Sequence, residues 1–444
     1  MTESRSKPFP TEVHANAQQP LGMPPARFLR DYWQKRPLLI RNAFPGFVPP
    51  LMPDDLAGLA CEELALSRIV LQEPSKPSGS ALARGRAERG TRNPATRVHT
   101  ARAPGPGFHG DDPSRHTHAN QQNWTLRTGP FAESDFATLP ESHWTLLVQD
   151  VDKWDADVAA LLDRFDFLPS WRIDDVMVSY ATDGGGVGAH LDQYDVFLLQ
   201  GLGRRHWSIS TDPRAPHDFR DDTELKLLKR FEPTHAWMLD PGDMLYLPPG
   251  VPHDGAGLGE CMTFSIGMRA PSSSELLIEF AEQIAAALPE SQRYADPDLR
   301  AAAEPGEIDA AALKRARDAL GACAQAMDEA TFADFFGRFI TSWRSAQVVA
   351  PPKRTLSAQA LDAKLETRTF LRNPWSRLAW RRMSRDAVLY VSGEQYSCPI
   401  AWARALGRAR CLSGAELTTL PQRAAGVSVL AALIQAGHVA VRRR

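Results

Sequence analysis

From Trp171 to Ser210 the chain reads WRIDDVMVSYATDGGGVGAHLDQYDVFLLQGLGRRHWSIS, where short β-branched and aromatic runs alternate with glycine-rich turns. This is the signature of an antiparallel sheet. HAWMLDPGDMLYLPPGVPHDG and ECMTFSIGMRAP add a further pair of strands. The complete set predicts a sheet that rolls into a small barrel or jelly roll.

The rest of the chain has a different character on either side. With 444 residues it exceeds what one compact core usually holds, so two or three domains are expected. Residues 1–20 are polar and aperiodic and read as a disordered start. PARFLRDYWQKRPLLIR then gives a helical apolar face followed by a short strand, and PDDLAGLACEE a helix capped by Asp54 or Asp55. Residues 21–271 thus form a first domain. Within it, residues 75–122 turn to Gly, Pro, Ala, Arg, Ser and His with no period, as a disordered basic insertion does. Its histidines His99, His109, His116 and His118 are read as solvated side chains. After Pro271 the pattern becomes helical over 272–345: SSSELLIEFAEQIAAAL opens on serines suited to an N-cap, and ALKRARDALGACAQAM and FADFFGRFITSW follow. Residues 346–444 open with the linker VVAPPKRT and end in a helix, a turn and a strand, which fits a small helix and β-wing domain.

No apolar run approaches the roughly 20 residues that span a bilayer, and the start lacks an apolar signal-peptide centre. A cytoplasmic location without membrane contact is expected. The five cysteines are scattered without CxxC spacing, which indicates neither a disulfide framework nor a cysteine zinc site. The net charge of −2 hides an asymmetry: residues 346–444 carry 16 Lys and Arg against 5 Asp and Glu, so residues 1–345 sum to −13. An acidic front favours a cationic partner, and a basic tail leaves nucleic-acid contact open.

His190 and Asp192 lie two apart, so in an extended stretch both side chains leave the same face. His253 follows the proline turn of LYLPPGVPHDG and supplies a third donor. Two histidines and a carboxylate form the facial triad of non-haem iron(II), with coordination positions left open. Arg205 comes fifteen residues after His190 and Arg204 beside it points the other way, so one guanidinium can enter the barrel. There it would bind the distal carboxylate of 2-oxoglutarate; the competing reading is a pair of surface arginines in a turn. Ser179, on the strand WRIDDVMVSY, shares a face with Met177 and Asp175 and either adds a hydrogen bond to the cosubstrate or bonds to backbone. Asp174 and Asp175 either attract a cationic substrate side chain or are solvated. The glycines at 184, 185, 186 and 188 are read as a tight turn, since no GK[ST] follows them.

WQKRPLLIR, WRIDDVMVSY, GGGVGAHLDQYDVFLLQGLGRRHW, PGDMLYLPPGVPHDG and FSIGMRAP together resemble the bacterial ribosomal oxygenases of the JmjC/cupin family, over most of residues 20–345. The resemblance implies a double-stranded β-helix catalytic domain, a helical dimerisation region and a C-terminal winged-helix domain. It implies iron(II) on His190, Asp192 and His253, 2-oxoglutarate on Arg205 and Ser179, and O2 as second cosubstrate. It further implies a homodimer that hydroxylates the β-carbon of an arginine in a large-subunit ribosomal protein. The insertion and the more cationic tail depart from that pattern. Two alternatives stay open: hydroxylation of a ribosomal-protein histidine, and a non-catalytic cupin whose tail binds RNA or DNA. Lysine demethylation by the same chemistry ranks below both.

Overall fold

The computed structural model describes residues 10–73, 123–301, 304, 306–325, 328–342, 349–353 and 356–443. The proposed insertion at 75–122, with its four histidines, lies outside the described residues. Ten strands form one sheet: β1 (Glu12–His14), β2 (Leu38–Arg41), β3 (Ser67–Glu73), β4 (Asn123–Thr128), β5 (Trp144–Val148), β6 (Ile173–Ala181), β7 (Val196–Ile209), β8 (His235–Leu239), β9 (Met244–Leu247) and β10 (His253–Met268). Their order is β1-β2-β9-β7-β10-β6-β5-β3-β4, with β8 also on β7. All pairs are antiparallel except β1 with β2.

Three local expectations change. Residues 12–14 belong to the sheet rather than to a disordered start, because Val13 packs against Gly22, where an added Cβ would lie 2.6 Å from the valine methyl. The cap of helix Pro53–Ala60 is Met52, with Pro53 at the first helical position; Asp55 closes the turn by accepting the Met52 N–H at 2.8 Å. The segment read as a proline turn and a separate strand is one 16-residue strand, β10, whose register shifts between Leu258 and Met262. That irregularity lets a single strand bend around the barrel.

The main core fills the space between the sheet and the N-terminal helix Pro25–Asp31. Phe28, fully buried, stands at its centre with Tyr32, Trp33, Phe167, Phe197 and Tyr246 around its ring. Beneath this cluster, buried Asp195 accepts from Tyr246 Oη at 2.6 Å, Gln34 Nε2 at 2.9 Å and Arg172 Nη2 at 3.3 Å, which pins the loop between His190 and β7.

Helix Ser273–Ala287 starts where the serines predict, with Ser272 Oγ accepting from Glu275 N at 3.1 Å and Glu275 accepting back from Ser272 N at 2.8 Å. Helices Ala310–Gln325 and Glu329–Ser342 follow. The C-terminal part has two three-stranded sheets, β11 (Arg368–Arg372) between β15 (Cys411–Ser413) and β16 (Val439–Arg443), and β12 (Leu378–Arg382), β13 (Ala387–Val391), β14 (Glu394–Cys398). Its own core gathers around fully buried Trp402 and Leu430. Among the described residues no helix is long and apolar enough to cross a membrane.

Truncating the central aromatic leaves a cavity that its ring neighbours cannot close. Phe28→Ala is expected to cost about 3–5 kcal/mol of stability, read as a lower urea midpoint.

Candidate active site

His190 and His253 face each other through reciprocal backbone hydrogen bonds, His190 N to His253 O at 3.0 Å and His253 N to His190 O at 2.8 Å. His190 therefore sits at a lone bridge rather than in a regular strand, and His253 opens β10. The two rings lie 4.2 Å apart between centroids. Each Nδ1 meets a backbone carbonyl, Gly188 O at 2.8 Å and Val251 O at 2.9 Å. A carbonyl can only accept, so each Nδ1 carries a proton and Nε2 is the nitrogen left to face a metal. His253 Nε2 lies 3.7 Å from Asp192 Oδ2, and donor atoms of all three residues fall within 4.8 Å of one another. Burial pushes the His253 imidazole down to about 4, with His190 adding to the effect, so it is neutral near pH 7. Two imidazoles and one carboxyl group on one side suit a divalent transition metal with open positions.

The triad opens into a cavity of about 160 Å3 whose far wall is Arg205. This arginine lies in the middle of β7 and is 2% exposed, whereas Arg204 is exposed, as the alternation predicts. Arg205 Nη1 donates to Ser179 Oγ at 3.2 Å and Thr263 Oγ1 at 3.4 Å, and Nη2 to Gly255 O at 3.1 Å. Its guanidinium stacks 5.1 Å from the Trp207 ring, and its Nε has no acceptor among the described residues. Every acceptor it does have is neutral. Burial accordingly pushes its pKa down, and a carboxylate in the cavity would relieve that cost. Gly255 makes the arrangement possible: a Cβ there would stand 2.7 Å from the Trp207 ring and 2.9 Å from Arg205 Nε.

The inward face of β6 carries Ser179, Met177 and Asp175 along the cavity, in the alternation expected of it. Asp174 also lines the wall, near the mouth. It is neither solvated nor free: Arg377 Nη2 of the C-terminal part donates to its Oδ1 at 2.8 Å. Sequence reasoning missed Thr263, Ser265, Trp207 and Tyr194 in the lining. For Thr263 and Ser265 a signal existed, since these polar residues alternate with buried Met262, Phe264 and Ile266.

A cavity with an HxD and distal histidine at one end of a rolled sheet defines the class, and residues 160–276 match the JmjC domain family; residues 324–440 match a ROXA-like winged helix. The chain is 31% identical to the ribosomal protein uL16 3-hydroxylase of Escherichia coli, over 93% of this chain and 96% of that one. A probable ribosomal oxygenase of Haemophilus influenzae is 34% identical over 57% of this chain and 51% of its own. The solved structure of the Escherichia coli ribosomal oxygenase YcfD in complex with cobalt and 2-oxoglutarate has a TM-score of 0.71 at 30% identity, covering 95% of this chain and 99% of that one. The chain belongs to the ribosomal oxygenase family.

Two outcomes follow from the geometry. Cobalt(II) titrated into the metal-free protein is expected to bind at the triad, and His190→Ala or Asp192→Ala to weaken binding more than about tenfold, read from visible absorption. Gly255→Ala is expected to destabilise by about 1–3 kcal/mol through overpacking and, unlike Phe28→Ala, to weaken 2-oxoglutarate binding by displacing Arg205.

Proposed function

We propose that this protein is an iron(II) and 2-oxoglutarate dependent hydroxylase of a large-subunit ribosomal protein, acting on the β-carbon of an arginine. Its metal ligands are His190, Asp192 and His253, and Arg205 with Ser179 binds the cosubstrate. One observation carries the reading: a buried guanidinium with only neutral acceptors closes the same cavity that the three donors open. The metal, 2-oxoglutarate and O2 supply the oxidising chemistry when bound. The chain's own work is positioning. Arg205 offers two nitrogens to the far carboxylate, and Ser179 and Thr263 hold that guanidinium in place. The histidine Nδ1 protons, tied to backbone, keep both Nε2 atoms aimed inward. Val196, Leu198 and Met177 line the walls and keep water from the reacting end.

Asp175 favours arginine over histidine as the target. Its carboxylate faces the cavity, accepts the Asp150 N–H at 3.0 Å, and feels Lys153 only at a distance. A guanidinium is charged at every physiological pH, while an imidazole is largely neutral above its ordinary pKa, so only arginine reliably repays a buried carboxylate. The name of the Escherichia coli relative supports a ribosomal-protein substrate and position 3 as the site of hydroxylation.

We also propose a division into a catalytic domain to residue 271, a helical pairing region over 272–345 and a winged-helix domain from 346, in a cytoplasmic homodimer. Leu277, Ile278, Leu313, Leu320 and Phe332 are exposed on the middle helices and would be covered by a second copy. Nucleic-acid contact by the tail has less behind it. Arg377, Arg408 and Arg410 pair with Asp174, Asp166 and Asp163 of the catalytic part, so a share of the basic charge is met within the chain.

The test is succinate release by iron-loaded protein with arginine-bearing ribosomal-protein peptides, followed by mass spectrometry. A peptide that gains one oxygen atom on arginine, with the gain lost in His190→Ala, is the expected result; turnover with no such peptide overturns the reading. A pH dependence accompanies it. Burial pushes the Asp175 carboxyl from 3.8 up to about 7, with Lys153 opposing and Asp150 adding. The folded chain thus holds the extra proton between those values, and this group's contribution to stability falls as pH rises through that window. Peptide binding needs the ionised form, so kcat/KM for the peptide is expected to rise through about pH 7. Asp175→Asn should flatten that limb.

A further inference from the structure

We infer that Arg377 of the C-terminal part is a positioning residue of the active site: it holds the cavity-mouth end of β6 and occupies Asp174, leaving Asp175 to meet the incoming side chain. The inference rests on the function proposed above and concerns what shapes its substrate end.

The register of β6 creates the need. Along one edge β6 pairs with β10 from Ile173 to Ala181, but along the other β5 reaches only from Val178 to Ala181. The stretch 173–177, which carries Asp175 and Met177 into the cavity, therefore lacks a strand neighbour on that side. Exposed strand edges slip and fray unless other groups satisfy them. Here groups from outside the sheet do so. Val176 N donates to Asp152 Oδ1 at 2.8 Å, and Lys153 Nζ donates to Asp174 O at 3.0 Å. Arg377 adds to the same edge: Nη1 shares Asp174 O with Lys153 at 3.2 Å and donates to Ile173 O at 3.5 Å, and Nη2 donates to Asp174 Oδ1 at 2.8 Å. A residue 203 positions away in sequence thus completes the edge of the strand that faces substrate.

Arg377 is itself held. Ser392 N donates to its carbonyl at 3.0 Å, and the pairing of its neighbourhood with the barrel is fixed by Trp154 edge-on to Trp375 at 5.9 Å and by Arg410 with Asp163 at 2.6 Å. The ion pair is largely shielded, with Arg377 16% and Asp174 25% exposed, so water screens it only in part. Asp174 and Asp175 point to opposite sides of a strand end, yet both border the cavity. With Arg377 on Asp174, an entering guanidinium meets in Asp175 a carboxylate held only by the Asp150 N–H at 3.0 Å. Without Arg377, Asp174 would keep only the longer contact to Arg269 Nε at 4.0 Å and would compete with Asp175 for that guanidinium.

The experiment compares the full-length iron-loaded enzyme with Arg377→Ala and Arg377→Lys, measuring KM for an arginine-bearing ribosomal-protein peptide, KM for 2-oxoglutarate, and amide hydrogen exchange over residues 173–179. Arg377→Ala is expected to raise the peptide KM about tenfold, to leave the 2-oxoglutarate KM unchanged and to speed exchange over 173–179, with Arg377→Lys recovering part of each change. An unchanged peptide KM overturns the inference. So does a parallel loss of 2-oxoglutarate affinity, which would mean that the whole barrel had loosened. If the unaltered enzyme turns over no arginine peptide, the proposed function fails instead; the exchange measurement then still decides whether Arg377 clamps β6, unchanged exchange overturning it.

Discussion

The antiparallel pairing of β7 with β10 is the contact on which the site depends. It runs from Ile209 against His253 to Val196 against Gly267, and it brings into one cavity residues from both ends of two bent strands. Arg205 and Trp207 face Gly257 and Gly255 across that pair. The guanidinium can lie over the indole only because position 255 has no side chain. A slip of one residue would send Arg205 outward and Arg204 inward, and Thr263 with it would leave the cavity. Beyond the irregularity between Leu258 and Met262, β10 keeps β7 on one edge and takes β6 on the other.

Electrostatics divides the cavity into two ends. At one, a buried cation with neutral acceptors requires an anion; at the other, a buried carboxylate requires a cation. Neither charge stabilises the fold by itself, since burial opposes ionisation of both Arg205 and Asp175. Buried ionisable groups shifted in this way mark a candidate ligand site. The same logic explains part of the chain's charge asymmetry. The basic tail is not solely a surface for outside partners: three of its arginines meet carboxylates of the preceding acidic part, and one of these, Asp174, lines the cavity.

The legible parts of the site were those within one strand or one short motif. His190 and Asp192 share a face two residues apart, Arg204 and Arg205 cannot share one, and Ser179, Met177 and Asp175 follow from period two alone. The capping serine of the helix at 273 was equally local. What failed was local in appearance but decided elsewhere. His253 does follow the proline turn, but that it also opens a strand depends on the backbone partner His190 offers it. Asp55 was read as a cap, but Pro53 had already fixed where the helix starts. For Asp174 the sequence leaves solvated and substrate-binding readings open, and its ion pair with Arg377, 203 residues away, lies beyond any local pattern.

The sequence by itself determined the alternation of its strands, the identity of the three donors and of the inward arginine, and the order of sheet, helices and terminal wing. The alternation, the His190–Asp192 pair and the inward arginine follow from a period of two and the helices from one of three to four, while His253 came from the motif after the proline turn. Only the tertiary structure decided that β10 is one strand, that Gly255 makes room for Arg205 against Trp207, that Thr263 joins Ser179 on that guanidinium, and that Arg377 closes the open edge of β6. Each of those depends on distances between segments far apart in the chain, which local periodicity cannot encode.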